Sequence, residues 1–152
     1  LNIVNKLIIG VSNDYTKKCL FSADERVEII KNDIFKDLKF KTNSIKVISF
    51  NTLTTSFCSK NNVNIIFRGL RAVSDFEYEF QLAGMNRVLD NKIETVFLMS
   101  DPDNQVISSK FVKEIAMLRG KINNFVTKST EKAIKLKVWL KKYLYFVYLF
   151  FL

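Results

Sequence analysis

The sequence contains 152 residues with a formal net charge of +9 and 48% hydrophobic residues, but it contains no histidine. Its length and apolar content fit one folded domain and exclude wholesale disorder, while four glycines and one proline exclude a linker-rich chain. The missing histidine excludes Ser-His and Cys-His nucleophile pairs, a histidine general base and histidine metal ligands.

Strand patterns and helix patterns alternate along the chain. In order they are strand 6–11, helix 22–35, strand 45–50, helix 52–60, strand 63–67, helix 74–89, strand 94–99, helix 108–118 and helix 130–142. Capping-box patterns begin the helices at Ser22 and Ser74, and Gly69 is expected to stop the third strand in a tight turn. This alternation predicts an α/β fold with a parallel sheet and right-handed crossovers.

Side chains that suit anions follow three of the predicted strands. They are Lys17 and Lys18, Arg68 and Arg71, and Ser108 and Ser109. Ligands of parallel sheets bind beyond the carboxyl ends of the strands, guanidinium groups suit phosphates, and helix starts offer free backbone N–H groups. The three turns together predict a site for several phosphates, as phosphoryl or nucleotidyl transfer requires.

Each of these turns also has a purely structural explanation. The two arginines can be salt-bridged to the acidic residues that follow them, Asp75, Glu77 and Glu79. Ser108 or Ser109 can simply cap a helix, and a lysine pair in a loop is usually just solvated surface.

The segment Arg68-Gly-Leu-Arg-Ala-Val-Ser-Asp-Phe-Glu-Tyr-Glu79 carries a specific family resemblance. Supporting motifs are Lys17-Lys18, Leu20-Phe-Ser22, Glu25-Arg-Val27, Met85-Asn-Arg87, Glu94-Thr-Val-Phe-Leu-Met99 and Ile107-Ser-Ser109. Over about residues 6–137 the chain resembles bacterial phosphopantetheine adenylyltransferase. The resemblance implies a Rossmann-like fold, typically hexameric, in a cytoplasmic enzyme of coenzyme A biosynthesis. That enzyme transfers AMP from ATP to 4'-phosphopantetheine, with magnesium, giving dephospho-coenzyme A and pyrophosphate.

The resemblance also implies roles for individual residues. Lys17, Thr54 and Arg68 would bind phosphopantetheine, and Lys17 and Arg71 would stabilise charge in the transition state. The residues lining the ATP site would be Gly69, Leu70, Arg71, Glu79, Asn104, Gln105, Val106, Ile107, Ser108, Ser109 and Lys110. No residue is assigned to a metal.

The chain departs from the family pattern at both ends. Family members begin with a strand, a Gly-Ser/Thr-Phe-Asp-Pro turn and a Gly-His pair whose histidine stabilises the transition state. Residues 1–137 are therefore interpreted as an adenylyltransferase domain without its first strand, and residues 138–152 as an extra apolar tail. The apolar run 143–152 is about half the ~20 residues that a membrane span needs, so no membrane partner is expected.

Several alternatives stay open at this point. The chain could be an inactive, truncated remnant with at most weak nucleotide binding, a protein that acts at a membrane surface through its tail, or a cytidylyltransferase relative. The arginine segment favours the pantetheine branch over the last of these. Nucleic acid is not an expected partner, because residues 121–152 hold seven Lys and Arg against one Glu, whereas residues 1–120 hold seventeen against fourteen acids.

Overall fold

The fold is given by a computed structural model that describes residues 3–13 and 19–138. The elements in chain order are β1 (Leu7–Ser12), α1 (Ala23–Asn32), a π-helical turn (Asp33–Asp37), a 3-10 turn (Thr42–Ser44), β2 (Ile45–Phe50), α2 (Thr54–Lys60), β3 (Ile65–Leu70), α3 (Val73–Leu89), β4 (Glu94–Met99), α4 (Pro102–Gln105), α5 (Ser109–Met117) and α6 (128–138). The chain divides into two compact units: the first unit contains the described residues up to Asn51 and those from Ser108 to 138, and the second unit contains residues 52–107.

The first unit contains one parallel strand pair, β1 with β2. Leu7 lies opposite Ile45 and Ser12 opposite Phe50, and α1 makes the crossover between the two strands. Its buried apolar residues are Val11, Ala23, Ile34, Ile45, Val112, Ala116, Ile122 and Ile134. Strands, α1, α5 and α6 all contribute to this set, so each of them is held by hydrophobic burial.

The second unit repeats the same arrangement with β3 and β4. Ile65 lies opposite Glu94 and Leu70 opposite Met99, and α3 is the crossover helix. Its buried residues are Thr55, Phe57, Cys58, Leu70, Asn86 and Ile93. The backbone N–H of Ser100 donates to the Leu70 carbonyl at 2.9 Å, so the pairing continues to the carboxyl ends of both strands.

The α/β class and the parallel pairing of the strands are confirmed, as is the capping box at Ser22. The Ser22 hydroxyl accepts from the Glu25 N–H at 3.1 Å, and the Ser22 N–H donates to the Glu25 carboxylate at 2.8 Å. The short helix α4, with a proline in its first turn, was not among the predicted elements. The predicted helix 130–142 is confirmed for its part up to residue 138, and the proposed tail from residue 139 onward lies outside the described residues.

Two details of the predicted β3–α3 connection are wrong. β3 runs through Gly69 to Leu70, and no glycine in the described ranges has a positive φ, so Gly69 makes no tight turn. α3 begins at Val73 after Ala72, without a side-chain cap, so the capping box predicted at Ser74 does not form. The physical reason is that the helix begins at Val73, so Ser74 lies inside the first turn rather than at the N-cap position.

Helix α6 is tied to the π-helical turn by two carboxylates. The hydroxyls of Thr127 and Thr130 both donate to Asp33, and the Ser129 N–H donates to Asp37 at 2.8 Å. The Ser129 contact satisfies a backbone donor at the start of α6 that has no partner within the helix, and the two threonine contacts hold the same turn to Asp33. The π-helical turn therefore serves as the docking point for α6.

The far end of the described part of α6 is held by a second contact, to α1. The Lys137 ammonium donates to the Glu25 carboxylate at 2.5 Å, and this hydrogen bond is the main reason why the pKa of Glu25 lies below its ordinary value. None of the helices in residues 3–13 and 19–138 has an apolar stretch long enough to cross a bilayer.

Replacing Asp33 with Ala is expected to lower the free energy of unfolding by about 1–3 kcal/mol, because two buried or half-buried hydroxyls lose a charged acceptor. Chemical denaturation measures this difference. The matched control is Glu28→Gln, which removes an exposed partner of Lys31 and should cost at most about 1 kcal/mol. Equal losses in the two variants would contradict the docking role of Asp33.

Helix α5 offers a test of its cap. The Ser108 hydroxyl accepts from the Phe111 N–H at 3.2 Å, whereas Ser109 is the first helical residue. Ser108→Ala should therefore cost about 1 kcal/mol of unfolding free energy, whereas Ser109→Ala should leave it unchanged or raise it by a few tenths. A urea titration that finds the larger loss at Ser109 would show that the cap is misassigned.

Candidate active site

The residues of the arginine segment, which carries the family resemblance, lie at the carboxyl end of β3 and in the first two turns of α3. Arg68 lies in β3, Gly69 and Leu70 complete the strand, and Arg71 follows it directly. Leu70 is buried, whereas Gly69 is exposed. Both arginines can reach α3, because the helix of a parallel crossover begins at the edge where its strand ends.

Arg68 forms a bidentate ion pair with Glu79. Its Nε donates to Oε2 at 2.7 Å and its Nη2 donates to Oε1 at 2.5 Å. The Glu79 side chain is 12% exposed and that of Arg68 is 42% exposed, so the carboxylate is the more deeply placed partner. The hydrogen bonds that Arg68 donates to Glu79 raise the pKa of Arg68 above its ordinary value, against the opposing effect of partial burial. The guanidinium is therefore charged at any working pH.

Arg71 likewise forms a bidentate ion pair with Asp75. Its Nε donates to Oδ2 at 3.0 Å and its Nη2 donates to Oδ1 at 3.2 Å. The third nitrogen, Nη1, donates to the backbone carbonyl of Ile107 at 2.9 Å. The Arg71 side-chain hydrogen bond is the main cause that lowers the pKa of Asp75. Arg71 therefore links the end of β3 to the segment that follows α4.

The structural alternative to a phosphate site is thus confirmed in part, because both arginines are salt-bridged. These salt bridges do not remove the capacity of the two arginines to bind an anion. An arginine has five N–H donors, and the described contacts use two on Arg68 and three on Arg71. By these contacts, Arg71 has one more N–H group on each terminal nitrogen with which to bind an anion, and Arg68 has three such N–H groups.

Gly69 lies between the two arginines in a conformation that does not itself require glycine. Its φ is not positive, and a Cβ built on it would meet no described atom within 4 Å. Neither backbone conformation nor packing within the described chain accounts for a glycine here. A remaining physical reason for glycine is the close approach of a ligand to the backbone.

The other residues that the resemblance assigns are distributed over both units. Thr54 is the first residue of α2, Asn104 and Gln105 end α4, and Val106 is exposed. Ser108, Ser109 and Lys110 belong to the first unit, where Ser108 caps α5. Lys17 and Lys18 lie outside the described residues. The second unit therefore brings Arg68, Arg71, Glu79 and Ile107 together.

Two contacts at strand ends were not predicted from the sequence. The Ile107 contact uses a backbone carbonyl, which no side-chain pattern can reveal. Arg26 donates from Nη2 to the carbonyl of Ser12, the last residue of β1, at 2.8 Å. Its position in the first turn of α1, after the loop that follows β1, is the sequence signal that could have indicated this contact.

The acidic residues of this site do not form a metal cage. No group of three or more His, Cys, Asp or Glu side chains among the described residues could hold a metal ion. Asp75 and Glu79 are each bound to a guanidinium group.

The Asp75–Arg71 pair predicts a pH-dependent contribution to stability. Because the pKa of Asp75 is lowered in the fold, the contribution is complete above the unfolded value of about 3.9 and is lost as pH falls through the folded value. The melting temperature of Asp75→Asn should lie below that of the unmodified chain near neutral pH and converge with it in acid. Glu77→Gln, on the exposed side of α3, is the matched control. A difference that persists unchanged to pH 2 would contradict the prediction.

Comparison with known proteins agrees with this geometry. The family described as cytidylyltransferase-like matches residues 1–115. A phosphopantetheine adenylyltransferase of Pelagibacter ubique is 60% identical over 137 residues, which are 90% of this chain and 84% of the relative. Relatives of the same name from Caulobacter vibrioides and Sphingopyxis alaskensis are 48% and 46% identical, over 91% and 87% of this chain and 83% and 76% of their own lengths. The chain belongs to the phosphopantetheine adenylyltransferase family of cytidylyltransferase-like nucleotidyltransferases.

Proposed function

We propose that this protein transfers AMP from ATP to 4'-phosphopantetheine and releases dephospho-coenzyme A and pyrophosphate. The observation that carries the proposal is the pair of oriented guanidinium groups, Arg68 and Arg71, on either side of an unconstrained Gly69 at the end of β3. The identity to named adenylyltransferases over about nine tenths of the chain supports it.

The reaction needs charge stabilisation more than it needs a protein nucleophile. A phosphate oxygen of phosphopantetheine attacks the α-phosphorus of ATP, and the bond from that phosphorus to the bridging oxygen of the β-phosphate breaks. In the transition state, negative charge builds up on the oxygens of the α-phosphoryl group being transferred and on the departing pyrophosphate. Fixed N–H donors aimed at these oxygens lower the barrier without reorganising. In this proposal Arg68 holds the acceptor phosphate and Arg71 holds the phosphates of ATP.

The remaining site assignments rest on the family resemblance alone. Lys17 and Thr54 are proposed on the acceptor side, with Lys17 sharing the transition-state charge. On the ATP side the proposed residues are Gly69, Leu70, Glu79, Asn104, Gln105, Val106, Ile107, Ser108, Ser109 and Lys110. A magnesium ion on the ATP phosphates would neutralise part of their charge when bound. A homo-oligomer, hexameric as in the family, and a cytoplasmic location belong to the same proposal.

Pyrophosphate release is the direct test of the activity. We expect release that requires both ATP and 4'-phosphopantetheine, with dephospho-coenzyme A formed in equal amount, as measured by coupled assay and chromatography. Release from ATP alone, or none above background at saturating concentrations of both substrates, would refute the proposed function.

Gly69→Ala tests whether ATP approaches the backbone of β3. Since the added methyl group would meet no described atom, the melting temperature should stay unchanged. The KM for ATP should rise by about tenfold, because the methyl group would occupy the position of the ligand. Gly84→Ala is the matched control: its Cβ also meets open space, but it lies within α3 and should only raise stability, by about 1 kcal/mol. An unchanged KM in Gly69→Ala would remove Gly69 from the ATP site.

A further inference from the structure

Two carboxylates on one face of α3 hold the two arginines separately. Asp75 and Glu79 are four residues apart, a spacing that places helical side chains on the same face. Asp75 engages Arg71 and Glu79 engages Arg68, each through two nitrogens of the guanidinium group. In the described contacts neither carboxylate is shared between the arginines.

We propose that Asp75 and Glu79 are positioning residues, each orienting the arginine that binds one of the two substrates. Glu79 would set the affinity for phosphopantetheine through Arg68, and Asp75 would set the affinity for ATP through Arg71. This inference rests on the proposed function. It gives Glu79 a role different from the direct ATP contact that the family resemblance implies.

The geometry around Glu79 favours the positioning role. Both of its oxygens accept from Arg68, at 2.7 and 2.5 Å, and its side chain is 12% exposed. A ligand that approached this carboxylate would meet Arg68 first, because the guanidinium is the more exposed partner.

Positioning matters because a free arginine side chain samples many rotamers, and a substrate that binds it must overcome the loss of that conformational entropy. A side-on ion pair removes much of that freedom before the substrate arrives. It also leaves the outer N–H groups available, three on Arg68 and two on Arg71 by the described contacts. A phosphate can be held by two parallel N–H groups of one guanidinium.

Steady-state kinetics with each substrate varied in turn can separate the two positioning roles. Glu79→Gln keeps the shape of the side chain but removes its charge, and should raise the KM for phosphopantetheine about tenfold with the KM for ATP unchanged. Asp75→Asn should do the reverse. Glu77→Gln is the matched control and should change neither KM.

Three outcomes would overturn the inference. A rise confined to the KM for ATP in Glu79→Gln would mean that Glu79 contacts ATP itself. Equal rises in both KM values, together with a lower melting temperature, would mean that the ion pairs only stabilise the fold. In an Arg68→Lys background, where the two-pronged pair cannot form, Glu79→Gln should add little, so fully additive effects would show that Glu79 does not act through Arg68.

A spectroscopic readout keeps this inference distinct from the proposed function. The Nε–H groups of Arg68 and Arg71 are hydrogen-bonded and should give protected signals in a proton–nitrogen NMR spectrum. The Arg68 signal should be lost selectively in Glu79→Gln, and the Arg71 signal in Asp75→Asn. Retention of the Arg68 signal in Glu79→Gln would refute the positioning role even in an active enzyme. A chain with no adenylyl transfer but with the expected signal losses would instead refute the proposed function.

Discussion

Parallel strand pairing is the constraint from which the candidate site follows. Two parallel neighbours cannot be joined by a tight turn, so the chain must cross back over the pair, here through α1 and α3. In the second unit this puts the carboxyl end of β3 next to the start of α3, and hydrogen bonding from Ser100 to Leu70 keeps the end of β4 alongside. Arg68 and Arg71 owe their proximity to Asp75, Glu79 and Ile107 to this geometry.

The start of a helix is an unfavourable place for a cation. Free N–H groups and the helix dipole give it partial positive charge, so an arginine next to Ala72 meets repulsion while an acidic residue in the first turn is stabilised. Asp75 occupies that first turn and accepts both the backbone N–H and the guanidinium of Arg71. One carboxylate therefore satisfies a backbone donor near the helix start and offsets the charge of the arginine beside it. α3 begins without a side-chain cap because its N-cap residue, Ala72, has no polar side chain.

Much of this arrangement could be predicted from the sequence, and the exceptions have identifiable causes. β2 and β4 were predicted to the residue, because short alternating or continuous apolar runs are typical of strands. The capping box at Ser22 formed, whereas the similar pattern at Ser74 did not, because α3 begins at Val73 and Ser74 therefore lies inside its first turn. The prediction of a turn at Gly69 is wrong, because the sequence alone does not distinguish a glycine in an extended strand from a glycine in a turn. The pairing of Arg71 with the Ile107 carbonyl has no sequence signature at all.

Net charge proved to be a poor guide to the site, for a reason that the ion pairs make clear. Arg68 and Arg71 carry two positive charges, and Asp75 and Glu79 carry two negative charges, so these four groups sum to zero. A phosphate approaching them would be recognised by the direction of the remaining N–H groups rather than by a large positive field. The excess of positive charge lies instead in residues 121–152, away in sequence from the arginine segment. Selectivity between two phosphate-bearing substrates is easier to build from oriented donors than from charge alone, because a field attracts both substrates alike whereas each guanidinium can be aimed at one of them.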